Sequence, residues 1–283
     1  MIISIQSHVV YGYVGNKAAT YPLQSLGYNV CPINTVQFSN HTGYKNWQGE
    51  AFSREHRKSL LKGIEDLGVI SECKAIISGY MGGEETCIEV LEAVQRFKSQ
   101  NKDILYLCDP VIGNSHCYVK PEIMEFFKTK LKADIITPNQ FEAETLSDIK
   151  ITNIESLKDI ALYFHNKDVS VIVITGIETP SIQNNKLATF VSDKTSQHLI
   201  LSHKYNFTTE FSGTGDLFSA LFLGKYLKTK NALEATKSAI YLTGLAVKNS
   251  FNLESKELLV TSVDYKDNNE PIYEPEDVIN LSH

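Results

Sequence analysis

The chain has 283 residues, 42% of them hydrophobic, which is enough length and apolar content for one large core and a single domain spanning 1–283. Its formal net charge of -6, with no dense Lys/Arg block, argues against nucleic acid as a partner. Five cysteines, Cys31, Cys73, Cys87, Cys108 and Cys117, form no C-x-x-C pair and are odd in number, a usage that fits a reducing compartment and not a disulfide scaffold. His116 beside Cys117, with Cys108 nearby, lacks the paired spacing of a zinc site. The stretch after Met1 has neither the basic flank nor the small-residue exit of a signal peptide, and no long apolar span follows it. A cytoplasmic protein with no membrane partner is expected.

In chain order, short β-branched runs alternate with longer amphipathic ones, the pattern of βα units around a largely parallel sheet. Strands are expected at 2–6, 30–36, 74–79, 103–109, 133–138 and 169–175, each brief and apolar, as strands covered on both faces are. Helices are expected at 16–26, 54–67, 84–100, 121–131, 154–166, 214–228 and 231–249. Thr152 and Glu155 read as a capping box ahead of Ile154, Leu157, Ala161 and Phe164 at helical spacing. LATFV (187–191) and QHLILSH (197–203) read as a hairpin across SDKTS, adding antiparallel strands at one edge. The tail after Phe251, charged and carrying Asn and Pro, is expected to wrap the surface. The fold class is α/β.

In an open α/β sheet, ligands gather beyond the carboxyl ends of the strands. Ser7 and His8 are expected after the first strand, His41 and Thr42 beyond the second, and Tyr80 after the third; Asp109 ends the fourth. Thr137, Asn139 and Glu142 are expected to follow the fifth, and Thr175 and Gly176 the sixth. Each alone is an ordinary loop residue; their common rim is the signal. The familiar nucleotide loops are missing: the sole Gly-Lys, Gly224-Lys225, precedes Tyr226, and Gly12, Gly15 and Ala18 give G-x-x-G-x-x-A instead of a dinucleotide fingerprint. What remains is GTGDLFSALFLG (213–224), where an aspartate precedes a buried helix. Such an Asp serves as a helix cap as readily as a catalyst. The sharper reading gives the amides of Gly213, Thr214 and Gly215 to a phosphate and makes Asp216 the base that deprotonates an attacking hydroxyl.

GTGD before a small-residue helix, with DPVIG (109–113) and ITPNQFEAE (136–144), resembles the ribokinase-like small-molecule kinases. IQSHVVYGYVGNKAATYPLQSLGYNV and NTVQFSNHTGY narrow the resemblance to the pyridoxal kinase family, from about Ile3 to the helix ending near Asn249. The resemblance implies a three-layer sandwich, a mostly parallel central sheet with helices on both faces and antiparallel edge strands. It implies phosphorylation of the 5′-hydroxyl of pyridoxal, pyridoxine or pyridoxamine by ATP, with Mg²⁺, a monovalent cation (K⁺ or Na⁺) and a homodimer. It also implies that Ser7, Thr42 and Tyr80 hold the pyridine ring, with Val36, Phe38 and His41 completing the pocket and Asp216 at the reacting alcohol. Asp109, Thr137, Asn139 and Glu142 then organise ATP and its cations; Asp109, Thr137 and Glu142 are the metal candidates. Thr175, Gly176 and Thr214 lie near the nucleotide, and Lys204 to Phe207 border the adenine. Two departures stand out: Asn114 replaces an acid carried by some relatives, and the flap from Asn114 to Tyr118 is short, with Tyr118 able to reach the phosphates. The rival readings are a kinase for another small alcohol, such as a hydroxymethylpyrimidine or a sugar, and a non-catalytic binder of the vitamin.

Overall fold

The computed structural model describes residues 1–180, 182–205, 211–266 and 277–282. The strands are β1 (Ile2–Val9), β2 (Val30–Phe38), β3 (Gly49–Ala51), β4 (Ala75–Ser78), β5 (Leu105–Cys108), β6 (Ile135–Ile136), β7 (Val171–Ile177), β8 (Lys186–Asp193), β9 (Gln197–His203) and β10 (Val278–Asn280). They make one sheet in the order β10-β9-β8-β7-β6-β5-β4-β1-β2-β3. From β7 to β2 every pairing is parallel; β3 at one edge and β8, β9 and β10 at the other are antiparallel.

Alternation along the strands sorts the core into two layers. Ile3, Ile5, Ile76, Ile172 and Ile174 face the helices α2 (Arg54–Asp66), α3 (Glu84–Gln100), α4 (Pro121–Lys130), α5 (Gln140–Ser147) and α6 (Ile154–His165), through Leu61, Val90, Phe97, Phe127, Leu146 and Ile160. Ile2, Ala75, Ile77, Val171 and Val173 face the other way, against Leu23, Leu221 and Ala239 of α1 (Asn16–Ser25), α7 (Thr214–Thr229) and α8 (Ala232–Asn252). Helices cover both faces of the sheet, which is the expected three-layer sandwich.

Four details differ from the sequence reading. β1 continues to Val9, because past an irregularity at Ser7 the pairs His8 with Gln37 and Val9 with Phe38 carry its pairing with β2 onward. Ser7 and His8 therefore lie within the strand and not after it, and Thr175 and Gly176 likewise lie within β7, which runs on to Ile177. The short helix α5 was not anticipated; Asn139 and Glu142 cap it reciprocally, a signal hidden inside the motif PNQFE. The capping box of α6 is Asn153 with Ser156, not Thr152 with Glu155, since Asn153 immediately precedes the first helical residue. The tail is not mere wrapping: Leu258, Val260 and Tyr265 are buried in the second core layer, and β10 extends the sheet beside β9.

Candidate active site

The turn into α7 is shaped by what surrounds it. Gly213 has φ 90, and a Cβ there would fall 1.8 Å from the carbonyl oxygen of Tyr13, so the sequence needs glycine at this point. Among the described residues no side chain caps α7, so its first backbone N–H groups have no side-chain partner there. Asp216 stands at the third residue of the helix, with the Gly15 N–H approaching its carboxylate. Gly79, at the end of β4, lies so close that a Cβ would come 3.5 Å from Asp216 Oδ1 and 2.6 Å from Gln6 Oε1. From Leu217 to Gly224 the helix is buried continuously, which draws the acid at its start into the protein. Burial pushes Asp216 up to about 6, partly offset by the Gly15 N–H.

Two further acids stand on the same rim. Asp109 follows β5; its Oδ2 accepts from Ser219 Oγ at 3.1 Å and lies 3.8 Å from where a Cβ on Gly215 would be. Ser219 Oγ also meets Thr137 Oγ1 at 2.8 Å. Since Ser219 donates to the acid, Thr137 donates to Ser219, and its hydroxyl supports Asp109 at one remove. Glu142 accepts through Oε1 from Ile112 N–H at 3.0 Å and Gly113 N–H at 3.4 Å, and through Oε2 from Asn139 N–H at 2.9 Å. Burial still pushes Glu142 up to about 7. Burial, then the charges of Glu142 and Asp216, holds Asp109 well above the usual carboxylate range. Among the described residues no ion pair offsets any of the three acids, so like charges share a site without a protein cation. Nor do the described residues contain a cluster of three or more His, Cys, Asp or Glu able to hold a metal unaided.

The nucleotide-side candidates gather here. Asn139 donates through Nδ2 to the Gly113 carbonyl at 2.8 Å, so its amide roots the flap as well as capping α5. Thr175 bridges to Asn139 across the sheet end, where β7 bulges between Ile174 and Ile177, and Gly176 takes φ 66. The short flap is a hairpin closed by the Gly113–Cys117 bridge, with Asn114 exposed at its tip. Tyr118 is exposed at the base of this hairpin, and its hydroxyl is pushed upward by burial and then by the charges of Glu142, Asp109 and Asp216. Of the segment expected near adenine, Lys204 pairs with Glu178; Asn206 and Phe207 lie outside the described residues.

The vitamin-side candidates are less tightly grouped. Ser7 is buried beneath the loop 10–15, where a Cβ on Gly15 would fall 2.4 Å from Ser7 Oγ. Val36 and the Tyr80 ring converge on Gly82, 3.1 and 4.0 Å from its Cβ position. Phe38 packs on Trp47 with ring centroids 4.4 Å apart. His41 is half-buried and Thr42 exposed, both on the loop between β2 and β3. Sequence reading missed Ser219, Gly15 and Gly79. Ser219 stands one turn after Asp216, a spacing that could have revealed it; Gly15 was visible only as part of an incomplete dinucleotide motif.

A mostly parallel sheet between two helical layers, with buried acids facing an uncapped glycine turn, defines the ribokinase-like class of small-molecule kinases. The family described as phosphomethylpyrimidine kinase matches residues 66–261. Pyridoxal kinase PdxY of Corynebacterium diphtheriae is 35% identical over 263 residues, covering 92% of both chains. The protein of that name from Actinobacillus pleuropneumoniae is 37% identical over 83% of both. Among solved structures, pyridoxal kinase of Leishmania donovani with ADP and pyridoxamine aligns at TM-score 0.85 and 30% identity, over 93% of this chain and 94% of that one. The same enzyme with ADP and ginkgotoxin aligns at TM-score 0.90 and 29% identity over 99% of both. The chain belongs to the pyridoxal kinase family.

Proposed function

We propose that the protein uses ATP to phosphorylate the 5′-hydroxyl of pyridoxal, and likewise of pyridoxine and pyridoxamine, forming pyridoxal 5′-phosphate from the first in vitamin B6 salvage. The observation that carries this reading is Asp216: an acid raised to about 6 near the Gly15 N–H, beside first-turn N–H groups that no side chain among the described residues caps. At neutral pH it is mostly ionised and close enough to the working pH to take a proton efficiently. It takes the proton of the 5′-hydroxyl as that oxygen bonds to the γ-phosphorus; the bond to the bridging β–γ oxygen breaks and ADP leaves. The amides of Gly213, Thr214 and Gly215 hold the charge that develops on the moving group. Ser7, Thr42 and Tyr80 bind the ring, with Val36, Phe38 and His41 around it, while Asn139, Thr175, Gly176 and Tyr118 border the nucleotide.

The acids suit Mg²⁺, a hard cation that prefers carboxylate, water and phosphate oxygens. Their mutual elevation without a protein cation is the fitting observation. Asp109, which takes a single side-chain donor, has the most capacity to hold such an ion; Glu142, already accepting three backbone N–H groups, has less, and Thr137 contributes through Ser219. When bound, the ion neutralises phosphate charge. The reading includes a monovalent cation, K⁺ or Na⁺, as the resemblance implies. The whole chain, 1–283, works as one kinase domain, in a cytoplasmic homodimer; no helix among the described residues is long and apolar enough to cross a membrane.

Phosphorylation of a hydroxymethylpyrimidine is the second reading, favoured by the family matched at 66–261. That match begins after the segments SHVVYGYVGN and FSNHTGY, which carry Ser7, Phe38, His41 and Thr42, whereas the relatives named pyridoxal kinase match 83–92% of the chain. Incubation with Mg-ATP and a panel of pyridoxal, pyridoxine, hydroxymethylpyrimidine and ribose, with direct product detection, tests both. Phosphate on the B6 vitamers is expected; phosphate on the pyrimidine alone would replace the reading, and binding without transfer would make the protein a carrier.

A further inference from the structure

The segment after α8 brings an acid to the edge of the vitamin side. Its backbone is anchored: Ser250 Oγ accepts from Leu259 N–H at 2.7 Å and donates to the Ala246 carbonyl at 2.6 Å, while Glu257 N–H donates to Ser255 Oγ at 3.2 Å. Leu258, next in sequence, is fully buried. Glu257 is itself only 5% exposed, and its carboxylate sits between Gly12 of the 10–15 loop, which also approaches Ser7 through Gly15, and His41 and Tyr44 of the 39–48 loop. On one side the Tyr44 hydroxyl donates to Glu257 Oε1, and His41 Nε2 stands 3.7 Å from the same oxygen. His41 Nδ1 accepts from Gly43 N–H at 3.2 Å, so the neutral ring carries its proton on Nε2, on the side of the acid. On the other side a Cβ at Gly12, whose φ is 85, would fall 2.3 Å from Glu257 Oε2. The Tyr44 ring completes the seam, edge-on to Tyr11 at 6.3 Å and tilted on His41 at 4.7 Å.

A buried carboxylate with so few partners is a costly way to fill space, since an apolar side chain packs there without losing hydration. We propose that Glu257 is a positioning residue for vitamin binding: through Tyr44 and His41 it fixes the 41–44 loop against the 10–13 loop and so sets how tightly the ring is held. The proposal rests on the B6-vitamer reading above. His41 then works as a pillar fixed at Nδ1 by Gly43 N–H, with Nε2 turned toward Glu257.

Full-length wild type, Glu257→Gln, Tyr44→Phe and the double variant provide the test. Glutamine keeps the shape and removes the charge; phenylalanine keeps the ring and removes the donor. Each single variant should raise the pyridoxal KM about fivefold to tenfold, leave the ATP KM in place, and show little further loss when combined, because both break one charge-assisted link. Trypsin should cut after the exposed Lys45 faster in both variants, a readout that needs no turnover. A change in melting temperature alone, with pyridoxal KM and Lys45 cleavage as in wild type, would overturn the proposal. Failure of wild type to phosphorylate any vitamer would overturn the functional reading instead, while the cleavage rates would still decide whether Glu257 holds the loop.

Discussion

Asp109, Glu142 and Asp216 are held by backbone N–H groups and one serine at the ends of strands and helices, whereas much of the vitamin side hangs on the loops 10–15 and 39–48. The first region is set at element ends, where Asp109 and Glu142 are buried and Glu142 and Asn139 cap each other three residues apart. The second exposes Tyr11, Thr42 and Trp47 and is tied down by Glu257, 213 residues from Tyr44. Groups that steer charge in a transition state need fixed geometry, which rigid element ends supply. A surface that must admit and release a ring is better built from loops that open at low cost.

The sharpest way to break this comparison is Asp216→Asn. It should lower kcat by about 10²- to 10⁴-fold while leaving ATP affinity nearly unchanged, by steady-state kinetics and direct ATP binding. Wild-type turnover would remove the base from the rigid half. Gly213→Ala follows: a Cβ 1.8 Å from the Tyr13 carbonyl, at φ 90, should cost about 3 kcal/mol or more and disable transfer. Gly27→Ala is its control, since it shares φ 90 but meets nothing within 4 Å, and should cost only about 1–2 kcal/mol. Equal losses in urea denaturation would mean that the turn is not closed on Tyr13.

Protonation gives a smaller effect. Asp216 rises from 3.8 to about 6 on folding, so between those values the native state binds more protons than the unfolded one. Its contribution to stability is complete below pH ~4 and is lost as pH rises through about 6. Asp216→Asn should therefore be more stable than wild type at pH 7, by roughly 1–2 kcal/mol, with the gap closing in acid melts. In the wild type kcat/KM should fall as pH drops below about 6, because the base is then protonated. The smallest effect belongs to the vitamin side: Ser7→Ala should raise the pyridoxal KM by roughly fivefold at constant ATP KM. An unchanged KM would take Ser7 out of the ring site.

Much of this was legible along the chain. Alternating β-branched and amphipathic runs gave the parallel strands and flanking helices, because one-dimensional periodicity is a record of which faces are covered. GTGD, DPVIG and PNQFE marked the rim for the same reason, since each is a local turn whose chemistry lies within a few residues. The helix α5 is hard to see along the chain because its capping residues, Asn139 and Glu142, lie inside a rim motif and its eight residues are too few to show a helical period. The buried tail escaped because Leu258, Val260 and Tyr265 are spaced among charged residues.

Sequence alone settled the α/β class, the location of the acids at strand ends and the glycine turn before α7, all of which follow from short-range pattern and backbone sterics. Tertiary structure decided that the Gly15 N–H approaches Asp216, that Ser219 links Thr137 to Asp109, and that Glu257 reaches Tyr44. These contacts join segments as many as 213 residues apart, and no periodicity encodes them. They arise only when both helical layers close on the sheet, and the burial that raises Asp216 and Glu142 arises with them.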